Sequence, residues 1–180
     1  MGGVSGTLDR LPETLRPYSV RGFTAATGTS DPEAIAQLWN PSSARRLLVL
    51  EVSLYAAGAP PGVQARNSLS LQRTSARGTP GSTVTPDADS DWAGELAPPS
   101  GALLDLAAFT VQPTLAAPEL DGLVLAAAGT SGTPSSGMGF ALVRPEGIWV
   151  PPGTGLLLNG VLIAGAVSWP TSEVTFEWAE

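Results

Sequence analysis

From Leu47 to Tyr55 apolar side chains alternate along the chain with a period of two. Leu48, Leu50, Val52 and Leu54 share one face, and Leu47, Val49, Glu51, Ser53 and Tyr55 share the other. One face is wholly apolar and the other mixed, which predicts a strand with one face in a core and one partly covered. Asn40-Pro-Ser-Ser43 bounds its start and Gly58-Ala-Pro-Pro-Gly62 its end. Ser68–Thr74 alternates again and is expected to pair with it. At the C-terminal end, Val174, Phe176 and Trp178 alternate with Glu173, Thr175 and Glu177, predicting an amphipathic closing strand.

The same periodicity places further strands. Tyr18–Phe23 alternates weakly, with Tyr18 and Val20 on one face, and suits a sheet edge. Leu120–Ala128 reads as a strand ended by Gly129-Thr-Ser-Gly-Thr-Pro134, which opens an exposed loop reaching Gly137. Met138–Val143, a turn at Arg144-Pro-Glu-Gly147, Ile148–Val150, a turn at Pro151–Gly155, Leu156–Asn159 and Val161–Ala164 follow in close order. Two segments leave alternatives open. Asp31-Pro-Glu followed by Ala34–Trp39 offers an N-cap acceptor and Pro at the first helical position, yet an extended run into Asn40-Pro41 competes. Leu103–Val111 is apolar enough to be buried as either strand or helix.

Twenty-one Gly and 17 Pro without a three-residue period add many turns, and 43% hydrophobic residues suffice for a core over 180 residues. The expected fold is all-β, an antiparallel β-sandwich that is jelly-roll-like. Residues 1–17 are expected to form a flexible arm, and 18–180 one sandwich domain with a long loop at 76–101. The heart of that loop, Arg77–Asp91, is a punctuated insertion suited to a surface or subunit contact. Deleting Gly78–Ser90 is expected to leave the fold intact and weaken assembly.

Composition removes much chemistry. Cys and His are both absent, which excludes thiolate catalysis, His-dependent triads and the commonest metal ligand. All nine basic residues are Arg, so Lys-dependent chemistry and a phosphate-loop lysine are excluded as well. The net charge of −7 disfavours nucleic acid, and the adjacent Arg45-Arg46 reads as solvated charge at a strand start. No run of 18 apolar residues suggests a membrane span, and Met1–Asp9 lacks the pattern of a signal peptide.

Two groups retain some chemical interest. Asp87, Asp89 and Asp91 open like a calcium loop with Glu95 at the ninth place, but Trp92 stands where Gly is needed and Pro98 where Glu is. A solvated acidic loop is the plainer reading, and neither a metal nor a cofactor is expected. The five tryptophans, Trp39, Trp92, Trp149, Trp169 and Trp178, suit core or interface packing, although exposed coplanar Trp149 and Trp169 would suit sugars. A paired-carboxylate glycosidase remains open in principle, without a catalytic residue to nominate.

Leu38-Trp-Asn-Pro-Ser-Ser43 before Arg45–Leu50, Arg73–Ser82, Gly147-Ile-Trp-Val-Pro-Pro-Gly-Thr-Gly155 and Val174–Trp178 resemble small β-rich virion surface and head-decoration proteins of tailed bacteriophages and prophages. The resemblance spans about Leu38 to Trp178 and rests on turn motifs. It implies a structural protein rather than an enzyme, made in a host cytoplasm and carried on the virion. It further implies a homo-oligomer, a trimer, bound to a viral capsid or fibre protein, with no nucleic acid or membrane as partner. Arg77, Thr79, Pro80, Thr83 and Trp92 are the contact residues this reading nominates. A carbohydrate- or receptor-binding module is the alternative.

Overall fold

The computed structural model describes residues 15, 17–24, 33–56, 65–88, 101–127, 138–163 and 171–180. The strands are β1 (Pro17–Thr24), β2 (Glu33–Trp39), β3 (Leu47–Ala56), β4 (Ala65–Ala76), β5 (Ser82–Val84), β6 (Asp87–Ala88), β7 (Leu103–Leu106), β8 (Thr114–Ala127), β9 (Met138–Val150), β10 (Gly155–Ile163) and β11 (Ser172–Ala179). They form two antiparallel sheets, a five-stranded one in the order β6-β1-β11-β3-β9 and a six-stranded one in the order β5-β7-β2-β10-β4-β8.

The pairings nest: β1 with β11, β2 with β10, β3 with β9, β4 with β8. Successive pairs fall alternately in the five- and six-stranded sheets. This is one long hairpin rolled over itself, the jelly-roll wrap of an antiparallel β-sandwich. The hairpin tip lies between β4 and β8. There the chain inserts β5, β6 and β7, and sends them to the edges next to β2 and β1.

Alternation explains the core. Tyr18, Val20, Val174, Phe176 and Trp178 point inward from β1 and β11, toward Leu38, Leu69, Leu71, Leu104, Leu106, Leu156 and Leu158 of the other sheet. Trp178 and Phe176 are fully buried, and Tyr18 stacks on Trp178 with ring centroids 5.8 Å apart. Burying a side chain of this size contributes about 2 to 3 kcal/mol. The closing strand therefore behaves as its period predicts.

Strand β3 departs from strict alternation. Opposite β11, Glu51 faces Glu177 and Val49 faces Trp178; opposite β9, Glu51 faces Val143 and Val49 faces Ile148. Leu50 is thus an extra residue against β11 and is unpaired against β9, a bulge that flips the faces on either side of it. Leu47, Val49, Val52 and Leu54 enter the main core, while Leu48 and Leu50 turn to the outer face and pack with Ala179 and Leu15. The single face of Leu48, Leu50, Val52 and Leu54 expected from the period is therefore divided in two.

One further expectation changes, and the two open alternatives resolve. Ser68–Thr74 does not pair with β3: it belongs to β4, held between β10 and β8 in the opposite sheet. The chain crosses sheets between β3 and β4, and similar patterns recur in both sheets, so periodicity cannot choose the partner. Residues 33–39 form a strand, not a helix. Between β7 and β10, with six of seven residues buried, this stretch supplies backbone groups to two neighbours, and that outweighs local helix preference. Leu103–Leu106 is likewise a strand.

The expected turn at Arg144–Gly147 is a loop-out within β9, since Val143 and Ile148 sit opposite Glu51 and Val49 with only Leu50 between. Gly147 has φ +66, and a Cβ there would run into the Leu48 side chain and lie 3.2 Å from the Val49 carbonyl oxygen. Gly153 has φ +65 with nothing near its added Cβ. Gly153→Ala should cost about 1 kcal/mol for the left-handed backbone alone. Gly147→Ala should cost more, and the difference in thermal midpoint between the two variants measures how tightly the loop-out packs on Leu48. Equal midpoints would refute that packing.

Candidate contact site

The hairpin-tip insertion is anchored by a buried carboxylate. Asp105 lies in β7 between Leu104 and Leu106, which face the core, so its side chain is directed to the outer face of the six-stranded sheet. It is nevertheless completely buried. Arg77, the residue after β4, covers it: Nε donates to Oδ2 and Nη2 to Oδ1, both at 2.7 Å. Thr83 sits directly opposite Asp105 in the β5–β7 ladder and donates its hydroxyl to Oδ1 at 2.7 Å. Nη2 of Arg77 also donates to Thr83 Oγ1 at 3.2 Å. The forked guanidinium matches the carboxylate, so this is a bidentate charge-assisted contact rather than a loose surface pair. Hydrogen bonding to Asp105 raises the Arg77 pKa from its ordinary value, and the charge of Asp105 adds to this, while partial burial works against it.

Beside it lies a second polar cluster. Gln37, opposite Asp105 on β2, donates Nε2 to Thr74 Oγ1 at 2.6 Å and to the Ala76 carbonyl at 3.4 Å. Its Oε1 accepts from the Gly78 backbone N–H at 3.2 Å. Gln37 is fully buried, so each of these bonds replaces one that water would have made. The chain on both sides of the insertion then closes over the face. Thr79 N–H donates to the Val111 carbonyl, Thr110 N–H to the Thr79 carbonyl, and Gly81 N–H to the Leu106 carbonyl. Gln112 accepts from the Ala34 N–H at 3.0 Å. Beneath this layer Ala34, Ala107, Phe109 and Leu157 form a small apolar cluster of their own.

The nominated contact residues can now be located. Arg77 and Thr83 spend their polar groups on Asp105. Thr79 is exposed while its backbone bridges to Val111, and Pro80 is half-buried. Trp92 lies outside the described residues. Within Arg77–Ala88, then, the insertion is no free arm: β5 extends one sheet and β6, pairing Asp87 with Ser19, extends the other. What it offers a partner is the outer surface of a fixed layer, in which Thr79, Gly81 and Ser82 are exposed beside Val111, itself 60% exposed. The sequence reading missed Asp105, Gln37 and Val111. An acid between two core leucines was the available signal for Asp105.

Of the calcium-like triplet, Asp87 lies in β6, whereas Asp89 and Asp91 fall outside the described residues, as does Glu95. Among the described residues no group of three or more acidic side chains is placed to hold a metal ion. Trp178 is core, Trp39 is half-buried, and Trp149 is 45% exposed on β9; Trp169 lies outside the described residues. No protein-family model, curated protein or solved structure matches the chain.

Proposed function

We propose that the chain is a virion structural protein, a jelly-roll subunit that binds as a homotrimer to a bacteriophage capsid or fibre and reinforces it. The observation that supports this reading is the stitched insertion. A contact surface held by Asp105, Gln37 and two backbone ladders loses little entropy on binding, which suits a subunit that must seat repeatedly on a lattice. Jelly rolls recur in viral capsid proteins, and several weak copies of one contact give lasting attachment when the subunits are joined.

The test is mass. Light scattering on the purified chain should return a trimer, and Val111→Asp, which places a charge in the exposed layer, should shift it toward monomer without lowering its thermal midpoint. A wild-type protein that is monomeric at every concentration would remove the oligomeric decoration reading.

A further inference from the structure

The outer face of the five-stranded sheet carries an arrangement that neither the core nor the insertion explains. Register places Phe23 of β1 opposite Glu173 of β11, and Glu173 opposite Tyr55 of β3. Phe23 is 64% exposed and Tyr55 52%, among the largest exposed apolar side chains described. Alternation turns them away from the core, since Val174 beside Glu173 and Leu54 beside Tyr55 point inward. Gly139 follows opposite Tyr55 on β9, leaving no side chain on that flank. Two exposed aromatic rings thus stand in one row, two strands apart, or about 10 Å at ordinary strand spacing.

Between and beside the rings the groups are polar. Arg21 Nη1 donates to Glu173 Oε1 at 3.3 Å, and Arg21 is mostly exposed. Arg21, Thr175, Ser53 and the exposed Ala141 form the next row of the same face. The ladder therefore alternates ring, carboxylate, ring, above a row of guanidinium and hydroxyls.

We infer that this face is a binding site for a neutral, extended oligosaccharide, whose sugar rings rest on Phe23 and Tyr55 while Glu173 and Arg21 hydrogen-bond the hydroxyls between them. The chemistry favours this occupant over others. A pyranose has an apolar face of C–H groups and an equator of hydroxyls, and needs aromatic surface interrupted by paired donors and acceptors. A protein interface would want its apolar groups contiguous at the centre, and here a charged pair divides them. A second copy of this face would bring Glu51, Glu173 and Glu177 against their equivalents with Arg21 as the cation of these rows. An acidic glycan would meet the same carboxylates and the chain's net charge of −7. The inference stands apart from the capsid reading, which rests on the opposite sheet.

Calorimetric titration of the full chain with cellohexaose, and separately with mannohexaose and chitohexaose, tests it. At least one of these neutral oligomers should bind, and Phe23→Ala and Tyr55→Ala should each weaken that binding about tenfold. Arg21→Ala should weaken it too, with thermal midpoints unchanged in all three variants. No binding by the wild type to any of the three, or equal binding by the variants, would overturn the proposal. So would sedimentation showing that Phe23→Ala abolishes self-association, since the face would then be occupied by a second copy. Trimer formation that survives Phe23→Ala keeps this test separate from that of the capsid reading.

Discussion

Arg77→Ala should lower the stability of the fold by about 3 kcal/mol, the range found when one partner of a buried ion pair is removed. Arg77 itself is partly open, with 35% of its side chain exposed, so solvent screens its side of the contact. The cost arises at Asp105, which is fully buried and would keep only the Thr83 hydroxyl. For a domain of this size the thermal midpoint should fall by roughly 10 °C. Asp105→Leu combined with Arg77→Met should recover much of the loss, because an apolar pair needs no counter-charge. A single variant melting within about a degree of wild type would mean that the pair is ornamental.

The pH dependence of that loss follows from the sign of the shift. Asp105 raises the Arg77 pKa in the folded chain, so the stabilisation is fully present below the ordinary arginine value and disappears only as pH climbs through the raised one. Both values lie far above neutrality. The midpoint difference between wild type and Arg77→Ala should therefore be flat between roughly pH 6 and 9 as far as the guanidinium is concerned.

How much of this was legible in the sequence depends on which physical rule governed each segment. Glu173–Trp178 follows a strict period of two because both its neighbours follow it over most of their length, and reading it needed nothing else. Leu47–Tyr55 obeys the same period on paper, but Leu50 is bulged, and every face assignment before it is inverted. A bulge in an unbroken run of leucine and valine leaves no mark, since both faces remain apolar. Residues 33–39 had a proline and an acidic cap in front of them, local signals that a strand buried between two others overrides. Two of the nominated contact residues have an internal task that the sequence does not show. Arg77 and Thr83 stood out as polar groups in a loop, and their partner, Asp105, lies 28 positions from Arg77 and 22 from Thr83, a distance that only the fold closes.

Deleting Gly78–Ser90, which the sequence suggested the fold would tolerate, should instead abolish cooperative unfolding. The deletion removes the N–H that satisfies Gln37 Oε1, the Thr79–Val111 bridge, the Gly81 bond to Leu106, and the hydroxyl on Asp105. It also removes the whole of β5 and β6, and so uncovers one edge of each sheet: β7 loses Ser82–Val84, and β1 loses its pairing at Tyr18 and Ser19. Each buried polar atom stranded in this way costs about 1 to 3 kcal/mol, and several are stranded together, which approaches the whole stability of a domain. Unpaired edges next to an opened apolar face add a tendency to aggregate. A denaturant titration should therefore show a broad, shallow transition with dye-accessible apolar surface in the absence of denaturant, whereas Pro80→Ala, which leaves these backbone partners in place, should keep a sharp one. If the deletion variant unfolds as sharply as wild type, the jelly roll is complete without its hairpin tip, and Asp105 and Gln37 find other partners when the layer is gone. The expected result points the other way: the tip closes one long side of the sandwich, and a contact surface can be rigid there because the core depends on it.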